Sequence, residues 1–205
     1  MTQTVPARFP LRLHRVPLTG EGGWRARWGR LADRTIALCS AVPDDAVLDV
    51  RLFPWTAELR ANWTAIRDEA LACRPALARP WSHGEWIEAD PARTPATAAL
   101  LAHVPGVTLA GFSLLSAGAH LAERRGASKA LITCQLGLSI PREGDARMRI
   151  GGRVVRWAEG ETLVFDETRP HEVWNDTAEA RVVLVVRFRR PLRPPVRWLA
   201  DLLVR

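Results

Sequence analysis

Thr162-Leu163-Val164-Phe165-Asp166-Glu167-Thr168-Arg169-Pro170-His171-Glu172-Val173-Trp174 joins two short apolar runs through a charged turn that ends in Pro170. The second run opens on a histidine. Runs of the same kind cover 108–116, 130–140, 147–150, 154–157 and 181–188, and Gly, Pro, Asp or Asn separates them at intervals of roughly 8–12 residues. From Val107 onward the apolar period is two, the period of a strand with one buried face. Many short strands at that spacing predict a β-sandwich or jelly roll.

Upstream the period is helical. Trp24, Trp28, Leu31, Ala37 and Leu38 recur at helix-like spacing before Pro43. Val47-Leu48-Asp49-Val50-Arg51-Leu52 has the β-branched content of a strand. Pro54 to Ala72 reads as a second helix with proline near its start, where the missing N–H is tolerated, and with Leu59, Trp63, Ile66 and Leu71 as its buried stripe. A turn-rich segment around Pro80, Trp81 and Gly84 precedes a short third helix, Thr97 to His103. The fold class is therefore α+β, with N-terminal helices packed on one sheet. Residues 1–50 are expected to form an arm and helix, 51–192 the jelly-roll domain, and 193–205 an amphipathic helix carrying Trp198, Leu199, Leu202 and Leu203.

Composition narrows the function classes. The chain has 205 residues, 47% hydrophobic and 25% charged, a balance that supports one folded domain with a sizeable core and excludes a disordered one. Its net charge of +7 comes from arginine, since Lys129 is the single lysine among 29 basic residues. That skew, with nine Trp and no Tyr, is what a GC-rich coding sequence produces. The arginines are scattered, so no nucleic-acid footprint is evident. Cys39, Cys73 and Cys134 are three and widely spaced, which argues against disulfides or a thiolate metal site and for a cytoplasmic location. No run approaches the ~18 apolar residues of a membrane span. The expected partners are a small anionic substrate and, through the N-terminal arm or C-terminal helix, a second subunit.

Among residues that could carry chemistry, His171 ranks first, because a histidine opening a strand can point into the mouth of a barrel. Alternation puts Thr133 and Gln135 on one face of their strand, with Ile132, Cys134 and Leu136 on the other. Arg181 shares a face with Val183 and Val185. An arginine there must reach water or meet an anion, which its planar fork binds bidentately. Asp44, Asp45 and Asp49 read mainly as solvated loop residues, with a partner acid for His171 as the alternative.

The motifs, taken in order, resemble one family. Phe53-Pro54-Trp55, Asn62-Trp63, Arg67-Asp68-Glu69, Pro105-Gly106, Phe112-Ser113, Leu136-Gly137-Leu138, Ile140-Pro141, Val155 with Trp157, Glu159-Gly160-Glu161, His171-Glu172-Val173-Trp174-Asn175 and Arg181-Val182-Val183-Leu184 follow the pattern of the aspartyl/asparaginyl β-hydroxylases. The resemblance spans about 52–192. It implies a double-stranded β-helix, a cupin-like jelly roll. Members are iron- and 2-oxoglutarate-dependent oxygenases that hydroxylate Asp or Asn residues, lipid acyl chains or amino-acid-derived substrates. It further implies that Ser113 and Arg181 stand where the family holds the carboxylates of 2-oxoglutarate, and His171 where it has the distal iron-binding histidine.

Two family positions depart. Glu123-Arg124-Arg125-Gly126 stands where the resemblance expects Pro-His-x-Gly, so Arg124 replaces the proximal iron ligand. Thr133-Cys134-Gln135 replaces Arg-x-His at the cosubstrate. A guanidinium has no lone pair to donate and repels a divalent cation. Glu123 lies one residue away on the opposite strand face. His120 shares Arg124's face by alternation but lies about 13 Å along the strand. A bulge would be needed to bring either to a metal.

Three expectations follow. In the first, Arg124, Arg181, His171, Ser113, Thr133 and Gln135 line a cationic pocket of a metal-independent enzyme in bacterial specialised metabolism, with no cofactor and elimination, cyclisation or isomerisation chemistry. In the second, the chain is an Fe(II)/2-oxoglutarate hydroxylase with an unusual ligand set, His171 with Glu123 or His120. In the third, it is a non-catalytic pseudo-oxygenase that binds a ligand or partner subunit.

Overall fold

The computed structural model describes residues 24–77, 79–81 and 84–194. The expected N-terminal arm and the C-terminal helix from Pro195 lie outside them. In chain order the elements are α1 (Trp24–Cys39), β1 (Val47–Leu48), α2 (Thr56–Ala61), α3 (Trp63–Leu77), β2 (Arg79–Trp81), β3 (Gly84–Glu88), α4 (Pro95–Leu101), β4 (Val107–Leu115), β5 (His120–Arg124), β6 (Leu131–Ser139), β7 (Asp145–Ile150), β8 (Arg153–Arg156), β9 (Thr162–Phe165), β10 (His171–Asp176) and β11 (Arg181–Arg189).

The strands form two antiparallel sheets. One has the order β1-β9-β6-β11-β4-β3-β2 and the other β5-β10-β7-β8. From β4 on the chain passes back and forth: β4, β6, β9 and β11 lie in the large sheet, β5, β7, β8 and β10 in the small one. Alternate strands entering facing sheets make a double-stranded β-helix. The period-two pattern dictates this, because each strand offers one face to the space between the sheets. Met148, Ile150, Val173, Val183, Val185 and Phe165 fill that space. In the large sheet the other face is apolar too: Phe112, Leu114, Leu136, Leu138, Val182, Leu184 and Phe188 are buried beneath the helices with Leu59 and Ile66. Each such side chain contributes about 1.5–3 kcal/mol by leaving water. The β7–β8 hairpin closes on Gly151-Gly152, both at positive φ (52° and 84°), the backbone a two-residue turn between twisted strands requires.

Several local expectations need correction. The strand read over 47–52 stops at Leu48, because Asp49 accepts the Arg51 N–H and starts a single 3-10 turn over Val50–Leu52. The helix from Pro54 breaks at Asn62 into α2 and α3. Leu71 is 40% exposed, and Ala70 and Cys73 take the buried positions instead. The segment around Pro80 and Gly84 is a hairpin, β2 and β3, that widens the large sheet.

Candidate functional site

The space between the sheets holds polar groups as well as the apolar core. His171 opens β10 and is buried. Across the β5–β10 pair its direct neighbour is Arg124. The next pairs are Val173 with Leu121 and Trp174 with His120, so β5 carries one extra residue between Leu121 and Arg124. This bulge lets both Leu121 and Arg124 face inward although they are three residues apart. It also corrects the alternation argument for His120. That ring lies on the outer face, stacked on Trp174 (5.2 Å, 9°) and bonded to Glu172 at 2.7 Å. Glu123 is likewise outside, paired with Arg149. Neither shares the pocket with His171.

The large sheet supplies the facing wall. Arg181 pairs with Leu115, and Val183 with Ser113, which places Arg181 and Ser113 on the inner face with Val183 and Val185. Gln135 is opposite Val185, and Thr133 is opposite Arg187 and Phe165, on the same face. All four polar residues are buried. The structure thus gathers His171, Arg124, Arg181, Ser113, Thr133 and Gln135 around one interior. Asp44, Asp45 and Asp49 stand apart: Asp44 is ion-paired to Lys129 and Arg169, Asp49 to Arg51 at the surface, and Asp45 is exposed.

Trp157, Glu167 and Arg187, none of them named as a site residue from the sequence, complete the site. The Trp157 ring covers the Arg181 guanidinium at 4.3 Å, and its Nε1–H donates to Gln135 Oε1 at 2.8 Å. The indole is seated by backbone. The stretch after β8 crosses β6 at Gly137, whose N–H donates to the Glu161 carbonyl (3.0 Å) and whose carbonyl accepts from Gly160 N–H (2.9 Å). A Cβ on Gly137 would lie 2.2 Å from the Ala158 carbonyl oxygen, so the crossing requires glycine. Glu167 is buried just before β10 and pairs with Arg187 at 2.7 Å. Glu167 and Arg187 are an apposed pair whose sequence separation of twenty gives no local signal.

Electrostatics sets the protonation states. Burial pushes the His171 pKa below its ordinary value; its bond to the Arg169 carbonyl acts in the other direction, and the Arg124 charge again lowers it. The ring is neutral at pH 7. With Nδ1–H donating to the Arg169 carbonyl at 3.0 Å, Nε2 carries the lone pair. Burial, assisted by the Arg124 charge, presses Arg181 down to about 9, so it remains a cation at neutral pH. Its Nε and Nη1 are buried with no hydrogen-bond partner among the described residues. Burial lowers the Arg124 pKa as well, against the opposing charge of Glu167.

The profile of the aspartyl/asparaginyl beta-hydroxylases matches residues 60–191. The chain belongs to this family. It is 32% identical over 181 residues to an ornithine lipid ester-linked acyl 2-hydroxylase of Rhizobium tropici, covering 75% of this chain and 63% of that protein. Against the human aspartyl/asparaginyl beta-hydroxylase it is 29% identical over 161 residues, 67% of this chain and 21% of the relative. The chain thus spans less than two thirds of either relative's length. Among solved structures, a Pseudomonas putida prolyl-4-hydroxylase aligns over 66% of this chain and 98% of its own, with a TM-score of 0.49 and 18% identity. Among the described residues no helix is long and apolar enough to cross a membrane.

The family's iron can be tested against the residues present. The resemblance assigns it to the space between positions 124 and 171, and there this member has one imidazole facing a guanidinium. The guanidinium donates only hydrogen bonds and carries a repelling charge. His120 and Glu123, which could have replaced the missing ligand, face the other side of the sheet. Fe(II) does not fit this donor set.

Proposed function

We propose that this hydroxylase-fold chain is an enzyme acting on a small anionic metabolite without a metal, with His171 moving the proton and the arginines holding the charge. The carrying observation is the pairing of Arg124 with His171 across β5 and β10. A cation fixed beside a neutral imidazole favours reactions that develop negative charge next to an abstracted proton. His171 Nε2 takes a proton from a substrate carbon, and the electron pair left behind is stabilised by the Arg124 guanidinium. The step closes by returning the proton at another atom, an isomerisation, or by expelling a leaving group, an elimination. Cyclisation follows if the electron pair attacks another carbon of the substrate and displaces a leaving group from it.

A second reading is an Fe(II)/2-oxoglutarate hydroxylase. It is favoured by the 32% identity to an acyl 2-hydroxylase and by Ser113, His171 and Arg181 at family positions. One experiment separates the two: an anaerobic titration of metal-stripped protein with Fe(II) and 2-oxoglutarate, followed by calorimetry and by the absorption band of the iron chelate. The metal-independent enzyme gives neither iron binding nor band. Micromolar iron binding with the band overturns that reading in favour of the hydroxylase.

A further inference from the structure

Among the described residues, helix α1 meets the body with one side. Asp33 accepts the Lys129 N–H at 3.0 Å and the Ser128 hydroxyl at 3.4 Å. Ile36 and Ala37 are half-buried, and Ser40, just past the helix, is buried and bridged to Leu192. At about 100° per residue these positions share one face. Leu31 and Leu38 fall nearly opposite to it and are 53% and 82% exposed; Thr35, on the same line, is exposed as well. Trp24 and Trp28 stand at the positions that continue this line by helical spacing. Two exposed leucines alone would be ordinary on any surface. A line of four large apolar positions opposite the docked side is the reverse of a core-facing helix.

Charge is concentrated on the same segment. Helix α1 carries four arginines and one acid, Asp33, which is engaged at the Lys129 N–H. Residues 1–34 hold seven arginines against Glu21 and Asp33, a surplus of five out of the chain's net charge of +7. A tryptophan- and leucine-bearing stripe with arginines to either side suits a bilayer interface: the apolar side chains enter the acyl boundary while the guanidinium groups stay level with anionic headgroups. With 16 residues, α1 is about 24 Å long, short of the roughly 30 Å hydrocarbon core, so such a helix lies along the interface and does not cross it.

We infer that α1 docks the protein on an anionic lipid surface, with Trp24, Trp28, Leu31 and Leu38 entering the bilayer interface and the arginines of the helix beside the lipid phosphates. The inference is independent of the reaction proposed for the interior and adds a partner surface on the outside of the molecule.

The test is flotation of the full chain with lipid vesicles. Phosphatidylglycerol–phosphatidylcholine vesicles should carry the protein up the gradient, and pure phosphatidylcholine vesicles should bind it at least about tenfold less. Raising the salt from about 0.1 M to about 0.5 M should weaken the anionic binding several-fold. The double variant Leu31→Glu/Leu38→Glu should lose at least about tenfold in partitioning, with a native thermal melt because both side chains are exposed. Leu71→Glu, at an exposed position of α3, is the control and should float as the native chain does. No binding to either vesicle, equal binding to both, or a double variant that floats like the native chain overturns the inference. A native dimer in analytical ultracentrifugation that the double variant dissociates, with no vesicle binding by the native chain, also overturns it and assigns the stripe to a second copy.

Discussion

Arg124 and His171 are direct cross-strand partners on β5 and β10, facing inward together because β5 bulges between Leu121 and Arg124. The positions where the resemblance puts the family's two histidines are therefore direct neighbours here, with a guanidinium on one side. Nothing in the backbone prevents a second imidazole there. The side chain at 124 is what separates the metal-independent reading from the hydroxylase reading.

Arg124→His is therefore expected to create a two-imidazole site. Under the metal-independent reading, Fe(II) or Ni(II) binding should be measurable by anaerobic calorimetry in the variant and not in the native chain. A variant that binds neither metal would show that the strands do not hold positions 124 and 171 at coordinating distance.

Arg181→Met is expected to stabilise the ligand-free protein. Replacing an uncompensated buried cation by an apolar side chain of similar length gains about 1–4 kcal/mol, and the thioether still packs on the Trp157 ring. Denaturant titration without added anion should show a raised midpoint for the variant. A lowered midpoint would mean that the guanidinium is paired in the empty site.

The jelly roll was legible because its strands alternate over nearly a hundred residues, and because family motifs from Phe53 to Leu184 fall in order. The same alternation put Thr133 with Gln135 on one face of their strand and Arg181 with Val183 on one face of theirs; the pairing of β6 with β11 makes these the same face. It failed at His120, since a bulge adds one residue without any mark in composition. Strand β5, His-Leu-Ala-Glu-Arg, carries no apolar run and is held as an edge by pairing with β10. Trp157 and Glu167 were visible as residues but not as site members. Their partners, Arg181, Gln135 and Arg187, are distant in sequence and meet only once the sheets face each other.

His171 predicts a pH dependence with a definite sign. Its pKa is lowered in the folded state, by burial first, so the unfolded chain takes up the proton at higher pH than the native one does. Stability is unaffected above the ordinary histidine value near 6.5 and falls as pH drops below it, by at most about 1.4 kcal/mol per pH unit. His171→Gln should remove that slope, measured as denaturation midpoints between pH 8 and 5. An unchanged slope in the variant would assign the loss to other groups.

Asp166 carries the largest structural prediction. It is fully buried, accepts the N–H and hydroxyl of Thr168, and pairs with Arg190 at 2.5 Å and Lys129 at 3.0 Å. Lys129 in turn pairs with Asp44, and its backbone N–H donates to Asp33 of α1. The cluster ties the first helix and the loop after Arg124 to the turn that presents His171. Burial pushes the Asp166 carboxyl up, but the bonds from Thr168 and Lys129 and the Arg190 charge outweigh it and hold the pKa below the usual carboxylate range. Its contribution is therefore present above about pH 4 and is lost as pH falls through the depressed value. Asp166→Asn keeps the shape and removes the charge, leaving the buried Arg190 without its counter-ion, at a cost of about 3–5 kcal/mol. The expected midpoint drop at pH 7 should shrink as pH falls through the depressed value, where the native carboxyl is itself protonating. A drop below 1 kcal/mol at pH 7 would show that water already compensates Arg190.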